Sequence, residues 1–190
     1  MGLGSILFLG ALLVLLVYGV MLYNGLVSTK HAVAKAWANI DVLLKQRHDE
    51  LPKLVETCKQ YKQFEQATLQ SVIAARSQVQ AARELQDVPA LGQAEAALRA
   101  GVGRISAVAE AYPDLKANES FMELLTRVTA LESAIADRRE FYNEAVNINN
   151  VRVEQFPDTV VAQLFRFDAK PLLEFASAEK ADVDMKALFG

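Results

Sequence analysis

The stretch AWANIDVLLKQRHDELPKLVET, residues 36–57, decides the fold class of this chain. Its apolar residues recur at alternating steps of four and three, which is the spacing of one face of an α-helix. Pro52 lies inside the run, where a proline removes a backbone donor and crowds the carbonyl group four residues before it. Because the periodicity keeps its phase across Pro52, the pattern favours a kink in one helix over a break between two.

The helical pattern extends in both directions from this stretch. The heptad-like alternation continues from Val33 to Val79 and predicts a long, coiled-coil-like first helix from about Lys30 to Gln86. Only 9 glycines and 5 prolines are present, and no stretch alternates like a strand, so the chain is predicted to be all-α. The later helices are predicted at Leu91–Ala111, at Glu119–Glu154 behind the N-cap residue Asn118, and at Val160–Phe175 with Pro171 as a break.

The start of the chain carries no charged side chain before Lys30. Its apolar run, Leu3–Tyr23, is long enough to cross roughly 30 Å of hydrocarbon as a helix. A cleaved signal peptide is the alternative, but no basic residue precedes the run and the first A-x-A motif, at residues 32–34, follows Lys30. The sequence therefore predicts a single transmembrane anchor in residues 1–28.

The charges beside this anchor predict its orientation. Lys30 and Lys35 follow the apolar run, whereas no lysine or arginine precedes it. By the positive-inside rule, the C-terminal domain is predicted to be cytoplasmic, and a periplasmic domain is the alternative.

The chain shows no arrangement of residues that is typical of an enzyme or a cofactor site. A net charge of −3, from 20 basic and 23 acidic residues, gives no reason to expect a nucleic-acid partner. His31, His48 and Cys58 are too scattered for a zinc site, and Gly101-Val102-Gly103 lacks the strand and lysine of a phosphate loop. We predict no catalytic residue, no metal and no cofactor.

Several polar residues interrupt the apolar faces of the long helices. They are Arg47 and Glu65 on the first helix, and Arg138, Asn143 and Asn149 on the helix Glu119–Glu154. Burying such groups alone is costly, whereas groups that satisfy each other are tolerated. We therefore predict a partly buried polar network that fixes helix register, and a ligand site is the alternative.

The apolar seam of the first helix is predicted to contact other subunits. A helix over residues 30–86 would be on the order of 85 Å long, which is more than the shorter helices after it can cover. An uncovered stripe of this length is unfavourable in water. Either the chain folds back at Pro52, or neighbouring copies cover the seam. The preserved phase favours a homo-oligomer, with contacts through Val33, Trp37, Ile40, Leu44, Leu51 and Leu54.

Short motifs are spaced along nearly the whole chain, from Tyr18 to about Phe175. They are Tyr23-Asn24, Ala36-Trp37, Ile40-Asp41-Val42, Lys45, Arg47, Leu51-Pro52, Leu54-Val55-Glu56-Thr57, Glu65, Ala75-Arg76, Ala117-Asn118-Glu119, Leu131-Glu132, Ile135-Ala136, Arg138-Arg139, Tyr142-Asn143, Val146, Asn149 and Phe156-Pro157. With these motifs the chain resembles the LemA family of bacterial proteins. It departs from that family at Phe64, where His is usual, and at Ile148, where Tyr is usual.

The resemblance implies an antiparallel bundle of about four helices on a membrane anchor, without an established catalytic activity. The bundle would occupy residues 29–176, and residues 177–190 would form a loosely held tail. The expected function is that of a structural scaffold or assembly protein of the bacterial inner membrane, with membrane lipid and copies of itself as partners. The alternative is an adaptor that recruits or regulates a membrane enzyme such as a protease, in which case the partner is an unknown membrane protein.

The orientation is testable with a fused reporter. If Lys30 and Lys35 set the topology, an enzyme that is active only in the cytoplasm is expected to work when fused after Gly190. Activity of a periplasm-specific reporter at the same position, together with silence of the cytoplasmic one, would reverse the assignment.

Overall fold

The computed structural model describes residues 2–61 and 64–174. In that part of the chain there are six helices and no strand, which confirms the all-α prediction. The helices are α1 (Leu3–Lys59), α2 (Gln66–Glu84), α3 (Val88–Ala109), α4 (Pro113–Lys116), α5 (Glu119–Glu154) and α6 (Asp158–Phe165). The predicted tail, residues 177–190, lies outside the described residues.

The chain divides into two compact units. The flanking unit consists of Met1–Ile40 and Arg138–Leu172, and the central unit consists of Asp41–Asp137 and Leu173–Gly190. Helices α1 and α5 each contribute residues to both units. The division into an anchor of residues 1–28 and a bundle of residues 29–176 stays a prediction.

In the central unit, polar contacts show that α2 runs antiparallel to α1. Asp41 pairs with Arg83, whereas His48, farther along α1, contacts Arg76, which comes earlier in α2. Residues 85–87 join α2 to α3, and a link this short makes the two helices antiparallel neighbours. At Gly101 of α3 an added Cβ would lie 2.8 Å from Cγ2 of Val72, so glycine allows these helices to approach closely.

Helix α5 supplies the fourth segment of the central unit. Its Arg127 pairs with Glu50 of α1. Glu132 lies farther along α5 and interacts electrostatically with Arg47, which lies earlier in α1. The order of these contacts makes α5 antiparallel to α1. The predicted antiparallel bundle of four helical segments is therefore confirmed.

Helix α1 passes through Pro52 without ending, as the sequence predicted. Pro52 has no N–H to offer the carbonyl group of His48, four residues earlier. Arg76 of α2 supplies a donor instead, because its Nε lies 3.0 Å from that carbonyl oxygen. Its Nη2 also lies 2.6 Å from Nε2 of His48. A side chain from the neighbouring helix thus satisfies the group that proline leaves unpaired.

The predicted extension of the first helix to Gln86 is wrong, because α1 ends at Lys59. Residues 60–65 contain neither glycine nor proline, so no local signal marks this turn. Phe64 is buried, and the Tyr61 hydroxyl group donates to the carbonyl oxygen of Asp114 and accepts a hydrogen bond from Asn118. Tertiary contacts therefore outweigh the local helical preference.

Capping side chains mark the starts of α3 and α5. Asp87 caps α3 by accepting from the backbone N–H of Ala90 at 3.0 Å, so this helix begins at Val88 rather than Leu91. Asn118 caps α5 as predicted, with Oδ1 3.0 Å from the backbone nitrogen of Phe121. The last helix is shorter than predicted, because it spans Asp158–Phe165 instead of continuing to Phe175.

In the flanking unit, α5 runs back along α1. The rings of Trp37 and Tyr142 meet at 5.7 Å between centroids, and the Arg152 guanidinium group lies against Gly25. A Cβ at Gly25 would lie 2.5 Å from Arg152 Nη1, so a larger residue there would require the guanidinium group to shift. The segment after α6 packs on α5, where the Tyr142 hydroxyl group donates to the carbonyl oxygen of Pro171.

The seam that was expected to contact other subunits is covered within one chain. Trp37 is half-buried, and the other five seam residues are buried: Val33, Ile40, Leu44, Leu51 and Leu54. The expectation assumed that the first helix continues over residues 30–86 and is too long for the shorter helices after it to cover. Because α1 ends at Lys59 and α5 has 36 residues, the chain has enough helix to cover it. This corrects the intersubunit role assigned to these residues.

The link between Pro52 and Arg76 gives a testable coupling. Arg76→Met is expected to destabilise the protein by about 1 kcal/mol or somewhat more, because it leaves the partly buried His48 carbonyl group without a protein donor. In a Pro52→Ala background the new N–H can bond to that carbonyl, so the same Arg76→Met change is expected to cost about 1 kcal/mol less. Unfolding of the four variants in detergent, followed by circular dichroism, measures the difference. Equal losses in both backgrounds would show that Arg76 does not replace the missing donor.

Candidate functional site

The central unit contains an ion pair that is almost completely removed from solvent. Arg47 of α1 is 2% exposed and Glu95 of α3 is 3% exposed, and Nη2 of the arginine donates to Oε1 of the glutamate. Each residue interrupts an apolar stripe at helical spacing. Arg47 lies between Leu44 and Leu51, and Glu95 lies between Leu91 and Leu98; all four leucines are buried. The two interruptions meet each other inside the core.

A second carboxyl group, that of Glu132 on α5, lies near this pair. Burial raises the pKa of Glu132 to about 7, although the charges of Arg47 and Arg99 act in the opposite direction. Its Oε1 atom is buried and has no hydrogen-bond partner among the described residues, and the same holds for Nε of Arg47. Glu132 therefore changes its charge near neutral pH, whereas the Arg47–Glu95 pair neutralises itself.

The other candidates for a reactive site are the Cys58 thiol and possible metal ligands. Burial raises the pKa of the Cys58 thiol to about 12, so this side chain is a packing residue and a poor nucleophile. Among residues 2–61 and 64–174, no group of three His, Cys, Asp or Glu side chains could hold a metal ion. Arg47, Glu95 and Glu132, called the charged cluster below, bring together side chains of α1, α3 and α5.

Two surface cavities of the central unit lie elsewhere. One of about 220 Å³ lies between α1 and α2 and is lined by Leu51, Pro52, Val55, Glu56, Lys59, Val72, Ile73 and Arg76. The other, of about 420 Å³, lies between the end of α2 and the start of α3 and includes the exposed Leu85. Neither is lined by a residue of the charged cluster.

The predicted polar network is corrected for the two residues of the central unit. Arg47 is buried as expected, but its ion-pair partner is Glu95, which the predicted network did not include. Glu65 is exposed and accepts a hydrogen bond from Thr68. The sequence analysis missed Glu95 and Glu132, although a signal was present. Like Arg47, each is a charged residue that occupies an apolar position, Glu132 lying four residues after Val128.

The three predicted network residues of the flanking unit differ in burial. Arg138 is exposed, and its guanidinium group lies 5.7 Å from the centre of the Phe141 ring. Asn143 is half-buried, and Asn149 is buried with its Nδ2 donating to the carbonyl oxygen of Asp168. Asn149 thus holds the segment after α6, and Arg138 is not a buried member of a network.

The comparison with protein families agrees with this architecture. The model described as LemA family matches residues 36–186. The chain belongs to the LemA family. The resemblance read from its motifs is therefore confirmed, and the match covers all of the charged cluster.

Individual relatives of this LemA-family chain match to different extents. Protein LemA of Metamycoplasma hominis is 24% identical over 169 residues, which cover 87% of this chain and 74% of that protein. Magnetosome proteins MamQ 1 and MamQ 2 of Paramagnetospirillum magneticum are each 32% identical over 66 residues. These 66 residues are 35% of this chain and 24% of each MamQ protein, so the chain spans about a quarter of their length.

The buried ion pair predicts a strong asymmetry between single and double substitutions. Arg47→Leu or Glu95→Leu alone leaves one charge buried and is expected to cost about 3–5 kcal/mol of stability. The double variant removes both charges and is expected to regain most of this loss. Arg138→Leu is the matched control, because the exposed Arg138 should change stability by less than about 0.5 kcal/mol. Thermal unfolding in detergent measures all four, and a double variant as unstable as the single ones would contradict the pairing.

Glu132 predicts a dependence of stability on pH. Its folded pKa of about 7 lies above the ordinary value of 4.5, so the folded state binds this proton more tightly than the unfolded state. The stability it contributes is full below about pH 4.5 and is lost as the pH rises through about 7. Glu132→Gln keeps the side chain neutral and is expected to be more stable than the unchanged protein by about 1–3 kcal/mol near pH 8. The difference should vanish near pH 4, and a constant difference would refute the assignment.

Proposed function

We propose that this chain is a non-catalytic protein anchored in the bacterial inner membrane, where it acts as a structural scaffold or assembly factor. The observation that carries the proposal is the composition of α1. One unbroken helix of 57 residues contains the uncharged apolar run and, farther along, the buried Arg47. A helix of this kind is suited to connect a membrane segment to a folded helical core.

The apolar run of α1 supports the membrane anchor. The helix is long and apolar enough to cross a bilayer, and it is uncharged until Lys30. Large side chains such as Leu7, Phe8 and Leu15 are exposed along this part of α1. A continuous set of exposed apolar residues is unfavourable in water and favourable in hydrocarbon. Lys30 and Lys35 favour a cytoplasmic location for the rest of the chain.

Association between copies remains part of the proposal, through a surface other than the seam of α1. Phe141, Ile148 and Val151 of α5 are exposed, and their spacing of seven and three puts them on one face of the helix. A second copy of the chain could cover this face by packing α5 against α5. The relatives named as magnetosome proteins fit a role in the assembly of a cellular structure.

Crosslinking in native membranes tests the homo-oligomer. In a Cys58→Ser background, Ile148→Cys is expected to give covalent dimers of the chain, because its side chain lies on the proposed face. Asn147→Cys is the control, since residue 147 is also exposed but lies about 100° around the helix. Products should be several-fold weaker there.

Native mass measurement, combined with the crosslinking, distinguishes a scaffold from an adaptor. Native mass measurement of the detergent-extracted protein should show a multiple of the 20.9 kDa chain. A single copy that remains bound to a different membrane protein, together with no dimer at residue 148, would favour the adaptor of a membrane enzyme such as a protease. A lone monomer would refute both forms of the proposal.

A further inference from the structure

Helix α6 buries its only charged residue, Asp158, and exposes several large apolar side chains. Asp158 and Ala162, four residues apart, are buried and form the side that faces the protein. Val160 and Leu164 follow these by two residues, which rotates them about 200° to the opposite side. They are 58% and 74% exposed. A surface helix in water normally exposes its polar side, so this orientation suits an apolar environment.

Exposed aromatic side chains lie just before α6 and at its last position. Phe156, four residues before Val160, is 82% exposed, and Phe165, at the last position of α6, is 55% exposed. Val160 and Leu164, four residues apart, lie on one side of α6 with Phe165 beside them, and Phe156 is exposed in the turn just before the helix. Together they give two aromatic and two aliphatic side chains on a short segment.

Helix α6 lies beside the end of the apolar run of α1. The ring of Phe165 meets the ring of Tyr23 edge-on, with 4.8 Å between centroids, and the ring of Phe167 lies 5.8 Å from it. Tyr23 is the last residue of the run, a position where tyrosine favours the boundary between lipid and water. The exposed apolar side chains of α6 therefore belong at the depth of that boundary.

The orientation of α6 is fixed by polar contacts on its buried side. Arg152 of α5 pairs with Asp158 at 2.9 Å, and Gln155 donates to the other carboxylate oxygen at 3.1 Å. The same Arg152 guanidinium group occupies the space that Gly25 leaves on α1. Because Asp158 is held in this way, α6 cannot turn its apolar side towards the protein without breaking this partly buried ion pair.

We propose that α6 lies in the membrane interface and that Phe156, Val160, Leu164 and Phe165 insert among the lipids where headgroups meet acyl chains. This inference rests on the proposed membrane anchor. The exposed cations Arg166 and Lys170 lie in the segment after α6, on either side of the exposed Asp168, and suit the phosphates of anionic lipids. The anchor would thus be a transmembrane helix supported at its cytoplasmic end by a short helix parallel to the membrane surface.

Fluorescence quenching by lipid tests the proposal on the full chain. Trp37 is the only tryptophan, so a Trp37→Phe background allows one new probe at a time. The protein is reconstituted into vesicles of phosphatidylcholine and phosphatidylglycerol whose acyl chains carry bromine close to the headgroup. Leu164→Trp is expected to lose at least about half of its fluorescence relative to unbrominated vesicles, because the probe enters the interface.

Phe141→Trp is the matched control. Phe141 is also exposed, but its neighbour Tyr142 contacts Trp37, which lies 14 residues beyond Tyr23 and hence about 20 Å farther along α1. This probe is expected to keep its fluorescence. Circular dichroism of each variant confirms that the helices are retained.

The outcomes separate the anchor from the interfacial helix. Retention of the protein in vesicles after an alkaline carbonate wash establishes the anchor independently of α6. Retained protein with no quenching at residue 164 would overturn the inference while the anchor stands, and crosslinking of Leu164→Cys between copies would then assign the exposed side of α6 to a second chain. Release by carbonate would overturn the anchor and the interfacial helix together.

Discussion

The buried pair of Arg47 and Glu95 is the constraint on which the central unit depends. Taking two charges out of water costs several kcal/mol for each ion, and their attraction offsets this only when they meet directly. A shift of α1 against α3 by one residue would rotate the charges apart by about 100° and leave each of them among leucines. The pair therefore disfavours other registers more than it strengthens the observed one. Glu132, from a third helix, extends the same constraint to α5.

The other polar residues of the first helix follow the same logic. Asp41 pairs with Arg83 of α2, and His48 contacts Arg76 of the same helix. Glu50 pairs with Arg127 of α5. The Asp41–Arg83 contact is bidentate, which raises the pKa of Arg83 through the hydrogen bond. Asp41, Arg47 and Glu50, three of the charged residues in the stretch 36–57, therefore contact other helices. Pro52 belongs to this set, because Arg76 bonds to the carbonyl group that the proline cannot satisfy.

The flanking unit meets a different physical requirement. In the central unit, polar groups are buried and must be paired, whereas in the flanking unit large apolar groups are exposed and need a surrounding other than water. Two sets of these groups lie on different elements, one on α5 and one on α6. A second protein chain and a lipid surface are the two surroundings that would accept them. The proposed scaffold uses both, with lipid at the level of Tyr23 and a neighbouring copy along α5.

Much of this protein is determined by local sequence. The all-α class, the apolar run before Lys30, the Asn118 cap of α5, the passage of α1 through Pro52 and the LemA family were all predicted correctly. Caps, prolines and runs of apolar residues act over a few residues, so their effect can be judged without knowing what packs against them. The bounds of α5 were predicted correctly for the same reason, since a cap precedes it and Pro157 follows it.

Only the tertiary structure decided which groups meet. The sequence showed that Arg47 occupies an apolar position, but the choice of Glu95 over Glu65 depends on α1 ending at Lys59 and on α3 returning beside it. The residues that follow this helix end include no glycine or proline before α2. Instead, Phe64 is buried in the core, and the Tyr61 hydroxyl group bonds to Asp114 and Asn118. The same turn is needed to cover Leu44, Leu51 and Leu54, which the periodicity alone left for another subunit. Local patterns state that a side chain must be buried or paired, whereas the partner is chosen by contacts between residues far apart in the chain.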